Sequence, residues 1–188
     1  PPSAARMKPS PKMQKLCVWI LARLGWSMRG QWPDLKKVVF IAAPHTSAWD
    51  VVIGLLVIQA SGLQVTFMGK QEAFKWPLGP ILRRYGGMPV NRKAPGGVIQ
   101  QVVENINASE RMWFALAPEG TRREVKEWKT GFWKIAKQAD VPVCCAYFHF
   151  PDKVIGVGEV FELTDDMDAD IARIRAWYKP FQGKKRGA

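Results

Sequence analysis

The run Met112-Trp113-Phe114-Ala115-Leu116 carries no polar side chain, so neither of the two faces a strand presents is suited to water. Such a strand belongs in a sheet covered on both sides. Val38-Val39-Phe40-Ile41 and the stretch from Val141 to Phe148 have the same character. Helical patterns separate them: an apolar segment from Val51 to about Ala60, the set Val98, Val102 and Ile106 with Ile99 and Val103 beside it, and a segment from about Thr130 to Gln138. Strands alternating with helices predict an α/β fold, a single domain with a mostly parallel central sheet flanked by helices.

Shorter elements fit between these. Val65-Thr66-Phe67-Met68 reads as a short strand, and Trp76-Pro77-Leu78-Gly79-Pro80 opens a brief helix that Gly86-Gly87 stops. Met88 to Arg92 reads as an edge or end strand, because Pro89 removes a ladder donor. A last helix, about Asp166 to Tyr178, gathers Asp165, Asp166, Asp168 and Asp170 at its positive end and turns Met167, Ile171, Ile174 and Tyr178 inward. No internal repeat or linker appears. Residues 1–12 are expected as a loosely held basic N-terminus and 13–188 as one domain.

At 188 residues, 47% hydrophobic and 23% charged, the chain has ordinary globular content. Its charge is less ordinary. Lys and Arg number 28 against 16 Asp and Glu, a net +12 that implies an anionic partner: nucleic acid, acidic lipid or a phosphorylated substrate. The aromatic residues are scattered through apolar runs without any nucleic-acid motif, so no nucleic acid is expected. Within residues 1–40, Asp34 is the only acid against eight Lys or Arg.

In that basic region Met13, Leu16, Cys17, Ile20, Leu21 and Leu24 recur at helical spacing, with Trp19 and Trp26 widening the arc and Lys15 and Arg23 flanking it. An amphipathic N-terminal helix of this kind suits an anionic membrane interface, or else docks on the sheet as an ordinary first helix. No apolar run reaches the ~18 residues needed to cross a bilayer, and no signal peptide is visible. Cys17, Cys144 and Cys145 lack CxxC spacing, which predicts neither a disulfide framework nor a metal site and suits a reducing, cytoplasmic compartment. Cys144 or Cys145 with His149 would suggest a thiol hydrolase, but cysteine in an apolar strand is normally inert packing.

Two polar clusters follow apolar strands. In Pro44-His45-Thr46-Ser47-Ala48-Trp49-Asp50, His45 stands where a strand ends and Asp50 where a helix begins. Asp50 can hold one ring nitrogen as donor and leave the other as a base. Ser47 and Asp50 equally fit a capping box, with Asp50 purely structural. The second cluster is Pro118-Glu119-Gly120-Thr121-Arg122. Gly120 permits close approach, Thr121 brings a hydroxyl, Arg122 a fork that matches phosphate, and Glu119 can pin that arginine or a substrate hydroxyl. Loops at the carboxyl ends of parallel strands form the ligand crevice of α/β sheets, so both clusters can face one pocket.

His45 to Asp50, Gly87-Met88-Pro89-Val90-Asn91-Arg92, Pro118 to Arg122 and Val141-Pro142-Val143 together resemble, in order, the four blocks of the glycerolipid acyltransferases related to 1-acylglycerol-3-phosphate acyltransferase. The resemblance covers about residues 36–148; Lys70, and Lys129 with Gly131, look like further family positions. It implies transfer of a fatty acyl group from an acyl-CoA or acyl-carrier-protein thioester to a lysolipid hydroxyl, with no cofactor, no metal and no acyl-enzyme. His45 would be the general base, Asp50 its orienting partner, and Lys70, Arg92, Glu119, Gly120, Thr121 and Arg122 substrate-binding. It further implies a protein peripheral on the inner face of the membrane. Pro89 and Asn91 depart from the second block, and Cys144-Cys145-Ala146 from the fourth, which leaves open another acceptor such as a lyso-aminolipid. The alternative of another class is a non-catalytic basic lipid-binding module.

Overall fold

The computed structural model describes residues 10–90, 97–185 and 187. Among them the chain runs α1 (Pro11–Arg23), β1 (Ser27–Arg29), β2 (Lys37–Ala43), α2 (Ala48–Ser61), β3 (Thr66–Lys70), a 3₁₀ turn (Gln71–Phe74), α3 (Leu78–Arg84), β4 (Gly87–Val90), α4 (Gly97–Ala108), β5 (Met112–Leu116), α5 (Gly131–Gln138), β6 (Val143–His149), β7 (Val154–Phe161) and α6 (Met167–Tyr178). The strands form one seven-stranded sheet in the order β1-β7-β6-β2-β5-β3-β4. Every pairing is parallel except β6 with β7. This is the expected single-domain α/β fold.

β2 lies between β5 and β6, and its alternating side chains enter two different cores. Val39, Ile41 and Ala43 pack with α4, α5 and α6 through Val102, Ile106, Phe132, Ile135 and Ile174. Val38 and Phe40 pack on the opposite face with Leu63, Val65 and Trp113. Burial of both faces is the reason these strands have no polar alternation. Tyr178, fully buried at the end of α6, shares its hydroxyl proton between the carbonyls of Ile41 (2.6 Å) and Ala146 (2.9 Å), tying α6 to β2 and β6.

β4, with Pro89, is an edge strand as its missing donor required. β7 was not foreseen: no element is read from the sequence between Phe148 and Asp165. Its glycines serve packing rather than a turn. A Cβ on Gly156 would lie 2.2 Å from Tyr147 Cζ, and one on Gly158 would lie 2.0 Å from Trp177 Cζ2, so both rings lie flat against bare backbone. Asp170, expected merely to complement the α6 dipole, is buried and accepts from Trp133 Nε1, Thr164 N–H and Arg173.

The N-terminal helix begins at Pro11 and turns Cys17 and Leu21 inward, Leu21 packing with Ile53 and Val57 of α2. Gln14 donates to the Ala60 carbonyl at 2.9 Å, so the two helices run antiparallel. Leu16, Val18 and Trp19 remain exposed. The length of the apolar run from Val51 to Ala60 predicts a buried core helix, but α2 is only partly buried: Trp49, Val51 and Val52 are each close to half exposed. Among the described residues no helix is long and apolar enough to cross a membrane.

Candidate active site

β2 delivers His45 to the carboxyl edge of the sheet, and α2 starts three residues later. Ser47 is the extended N-cap residue, its Oγ accepting from Trp49 N–H at 3.1 Å. Asp50 reaches back from the first turn of α2, and its Oδ2 accepts the backbone N–H groups of Thr46 (2.7 Å) and Ser47 (2.8 Å). The same oxygen lies 3.1 Å from His45 Nδ1. The capping and catalytic readings of this stretch are therefore compatible: one carboxylate oxygen accepts the cap N–H groups and also lies against the imidazole. With Nδ1 engaged as a donor, Nε2 is left as the acceptor. The imidazole is 19% exposed and Asp50 is wholly enclosed.

β5 is the parallel neighbour of β2, with Leu116 in register with Ile41, so the loop after β5 emerges beside the His45 loop. Glu119 from this second loop is buried, and its Oε1 accepts the backbone N–H of His45 at 2.6 Å. Gly120 has φ +65°, and Lys129 lies across it: a Cβ there would stand 2.7 Å from both Cδ and Cε of the lysine. Lys129 N–H donates to the Pro118 carbonyl at 2.9 Å, which fixes the base of that side chain.

A cleft of about 640 Å³ brings His45 together with Gly120, Thr121, Arg122 and Lys129, the apolar part of its wall coming from residues such as Met68, Val90 and Phe132. His45 also borders a second cavity of about 260 Å³, where Val51, Gly54, Leu55, Phe67 and Phe148 supply an almost wholly apolar lining. His45 thus borders both a cleft in which two cations face an apolar wall and a smaller, mainly apolar cavity, the two also sharing Met68, Leu116 and Ala117. Among the described residues no group of three His, Cys, Asp or Glu side chains is placed to hold a metal ion.

Residues 28–149 match the sequence model of the family described as Acyltransferase. The chain belongs to the acyltransferase family. The fold of this acyltransferase is similar to that of the 1-acyl-sn-glycerophosphate (LPA) acyltransferase PlsC from Thermotoga maritima. The two share 16% identity with a TM-score of 0.60, over 92% of this chain and 80% of the other. No curated protein sequence gives a match.

Of the residues expected in the acyltransferase site, His45, Gly120, Thr121 and Arg122 share the large cleft, while Asp50 borders the apolar cavity. Glu119 sits behind the cleft against the His45 backbone. Arg92 and the side chain of Lys70 lie outside the described residues. Lys129, noted in the sequence as a further family position without a role, is a second cation of the cleft. Its signal was available in Gly120, whose missing side chain makes room for it. Burial pushes the Cys144 thiol up to about 12 and raises that of Cys145 as well. His149 is occupied elsewhere, its Nδ1 accepting from Gln182 N–H at 3.1 Å. Nothing here resembles an activated thiol.

Proposed function

We propose that this acyltransferase moves a fatty acyl group from an acyl-CoA or acyl-carrier-protein thioester to the hydroxyl of a lysolipid such as 1-acylglycerol-3-phosphate. The observation that carries this reading is the position of His45 on the walls of both the cleft that holds Arg122 and Lys129 and the mainly apolar cavity. The acceptor's anionic head would lie against Arg122, Lys129 and the Thr121 hydroxyl, with Lys70 and Arg92 as further binding residues. The acyl chain would occupy the apolar side. Each partner then meets the surface that suits it, and their reactive atoms meet at the imidazole.

His45 Nε2 takes the acceptor's hydroxyl proton as its oxygen attacks the thioester carbonyl, and a tetrahedral intermediate forms. Asp50 holds the ring and balances the charge it acquires. Collapse expels the thiolate, which recovers the proton from the imidazolium. The N–H groups of His45, Thr46 and Ser47 are already committed to carboxylates. The Gly120 N–H is likewise bound to the Ala117 carbonyl, so donors for the oxyanion would come from Thr121 and Arg122, where the cations also stand.

The substrates reside in bilayers, and the surface fits that. Leu16, Val18 and Trp19 of α1 and Trp49, Val51 and Val52 of α2 are exposed beside Lys12, Lys15 and Arg23. A helix pair of this kind suits peripheral attachment to an anionic cytoplasmic leaflet. Purified protein mixed with acyl-CoA or acyl-carrier protein and a panel of lysophospholipids and lyso-aminolipids should yield a diacyl product by mass spectrometry. His45→Ala should abolish it without loss of liposome binding. Binding of every lysolipid with no product would make the protein a lipid-binding module and sink the enzymatic reading.

A further inference from the structure

A third cavity lies at the same edge of the sheet, on the other flank of the start of α2. We infer that it seats the headgroup of an anionic phospholipid, separately from the catalytic cleft. This inference rests on the membrane-surface reading above. The cavity measures about 240 Å³ and is enclosed by the end of α1, the first turns of α2, the β6–β7 turn and the C-terminal segment. Its lining joins Leu24, Trp26, Ile53 and Phe150 to Trp49, Lys153 and Lys184.

The chemistry of that lining is specific. Trp26 and Phe150 meet edge to face at 4.9 Å. Lys184 Nζ lies 5.2 Å over the Trp49 ring, and Lys153 Nζ donates to the Leu24 carbonyl at 3.1 Å. An ammonium has three N–H donors, so each lysine keeps donors to spare after these contacts. Among the described residues no acid lines the cavity, and the neighbouring Asp152 faces His149 Nε2 at 3.7 Å. One cation over an aromatic ring and a second on a backbone carbonyl beside it, in a lining otherwise apolar, call for a ligand with a negative head and a hydrocarbon body.

Size selects further. The volume is below the roughly 300–1,000 Å³ of pockets that enclose a whole small-molecule ligand. It therefore admits a phosphate and its alcohol but leaves acyl chains outside. Outside, those chains meet the exposed Leu24, Trp49 and Val52. A phospholipid seated here would bring the start of α2, and with it the His45 loop, onto the bilayer surface.

The test is calorimetric titration of the full chain with short-chain phosphatidylglycerol held below its micelle concentration, with short-chain phosphatidylcholine, coenzyme A and inorganic phosphate as comparisons. Saturable binding of phosphatidylglycerol above the other three is expected. Lys153→Gln with Lys184→Gln should weaken it by about tenfold or more. Lys36→Gln with Lys37→Gln, at the opposite edge of the sheet where β2 begins, should bind as the parent does, and melting temperatures establish that both pairs fold. Absence of saturation, unchanged affinity in the Lys153/Lys184 pair, or equal binding of phosphate or coenzyme A overturns the seat. Acyl transfer to a soluble lysolipid, measured on the same samples, is expected to be equal in the parent and the Lys153/Lys184 pair. Transfer without phosphatidylglycerol binding removes the seat alone, and binding without transfer removes the enzymatic reading alone.

Discussion

Glu119 holds His45 by its backbone: the carboxylate Oε1 accepts the histidine N–H at 2.6 Å, across 74 residues of sequence. The bond joins the loop after β5 to the loop after β2, so the element that carries the cations also sets the position of the imidazole proposed as the base. Glu119 is enclosed, so this contact is shielded from solvent.

Glu119→Ala should leave a buried donor unpaired, at a cost of about 1–3 kcal/mol. Because the displaced group is the base, turnover should fall on the order of 100-fold, as expected when a reacting group moves by about 1 Å. Glu119→Gln keeps an oxygen at the same place and should recover much of both. Thermal melting and kcat, measured together, check the pair.

His45→Ala and Asp50→Ala should separate catalysis from folding. Loss of His45 should reduce kcat by about 10²–10⁴-fold and leave the melting temperature nearly unchanged. Loss of Asp50 should reduce kcat and also remove the carboxylate that accepts Thr46 and Ser47 N–H, costing about 0.5–2 kcal/mol at the start of α2. Equal melting curves for the two variants would contradict the shared role assigned to Oδ2.

The buried thiols predict an alkaline limit. Cys144 titrates near 9.0 when exposed and is pushed up to about 12 by burial; burial also raises Cys145 and Tyr178. Above pH 9 the unfolded chain releases protons that the folded chain retains, so stability present below that pH is lost as pH rises. Each such group costs about 1.4 kcal/mol per pH unit until its folded value is reached. Stability should be flat up to about pH 9 and then fall, less steeply in Cys144→Ala. At neutral pH an alkylating reagent should leave Cys144 and Cys145 unlabelled and activity intact.

Gly156→Ala and Gly158→Ala should each destabilise the protein by about 1–3 kcal/mol, since the added carbon meets the Tyr147 or the Trp177 ring. Urea unfolding of these variants measures the cost. A Gly156→Ala protein as stable as the parent would mean that the ring moves aside freely.

Gly120→Ala tests the cleft instead of the core. Positive φ and the 2.7 Å approach of Lys129 should together displace the lysine. The expected result is a raised KM for an anionic acceptor, with kcat less affected and a small fall in melting temperature.

The layered fold was legible because β2, β5 and β6 are buried on both faces and carry that burial in their composition. His45, Asp50 and the Glu119–Arg122 cluster were legible because each follows such a strand directly. β7 was not, since Gly156 and Gly158 are fixed by rings distant in the chain, and no local pattern announces that. The role of Glu119 was hidden for a similar reason: the register of Ile41 with Leu116 decides what it touches. Asp170 looked like one of four equivalent acids until packing enclosed it with Trp133 and Arg173.

The double engagement of Asp50 Oδ2 bears on how relatives of this chain should be judged. A descendant that abandoned chemistry would still need the aspartate to start its helix, so retention of that acid is poor testimony to activity. The histidine has no such second employment, and its loss is the mark by which an idle descendant would be known.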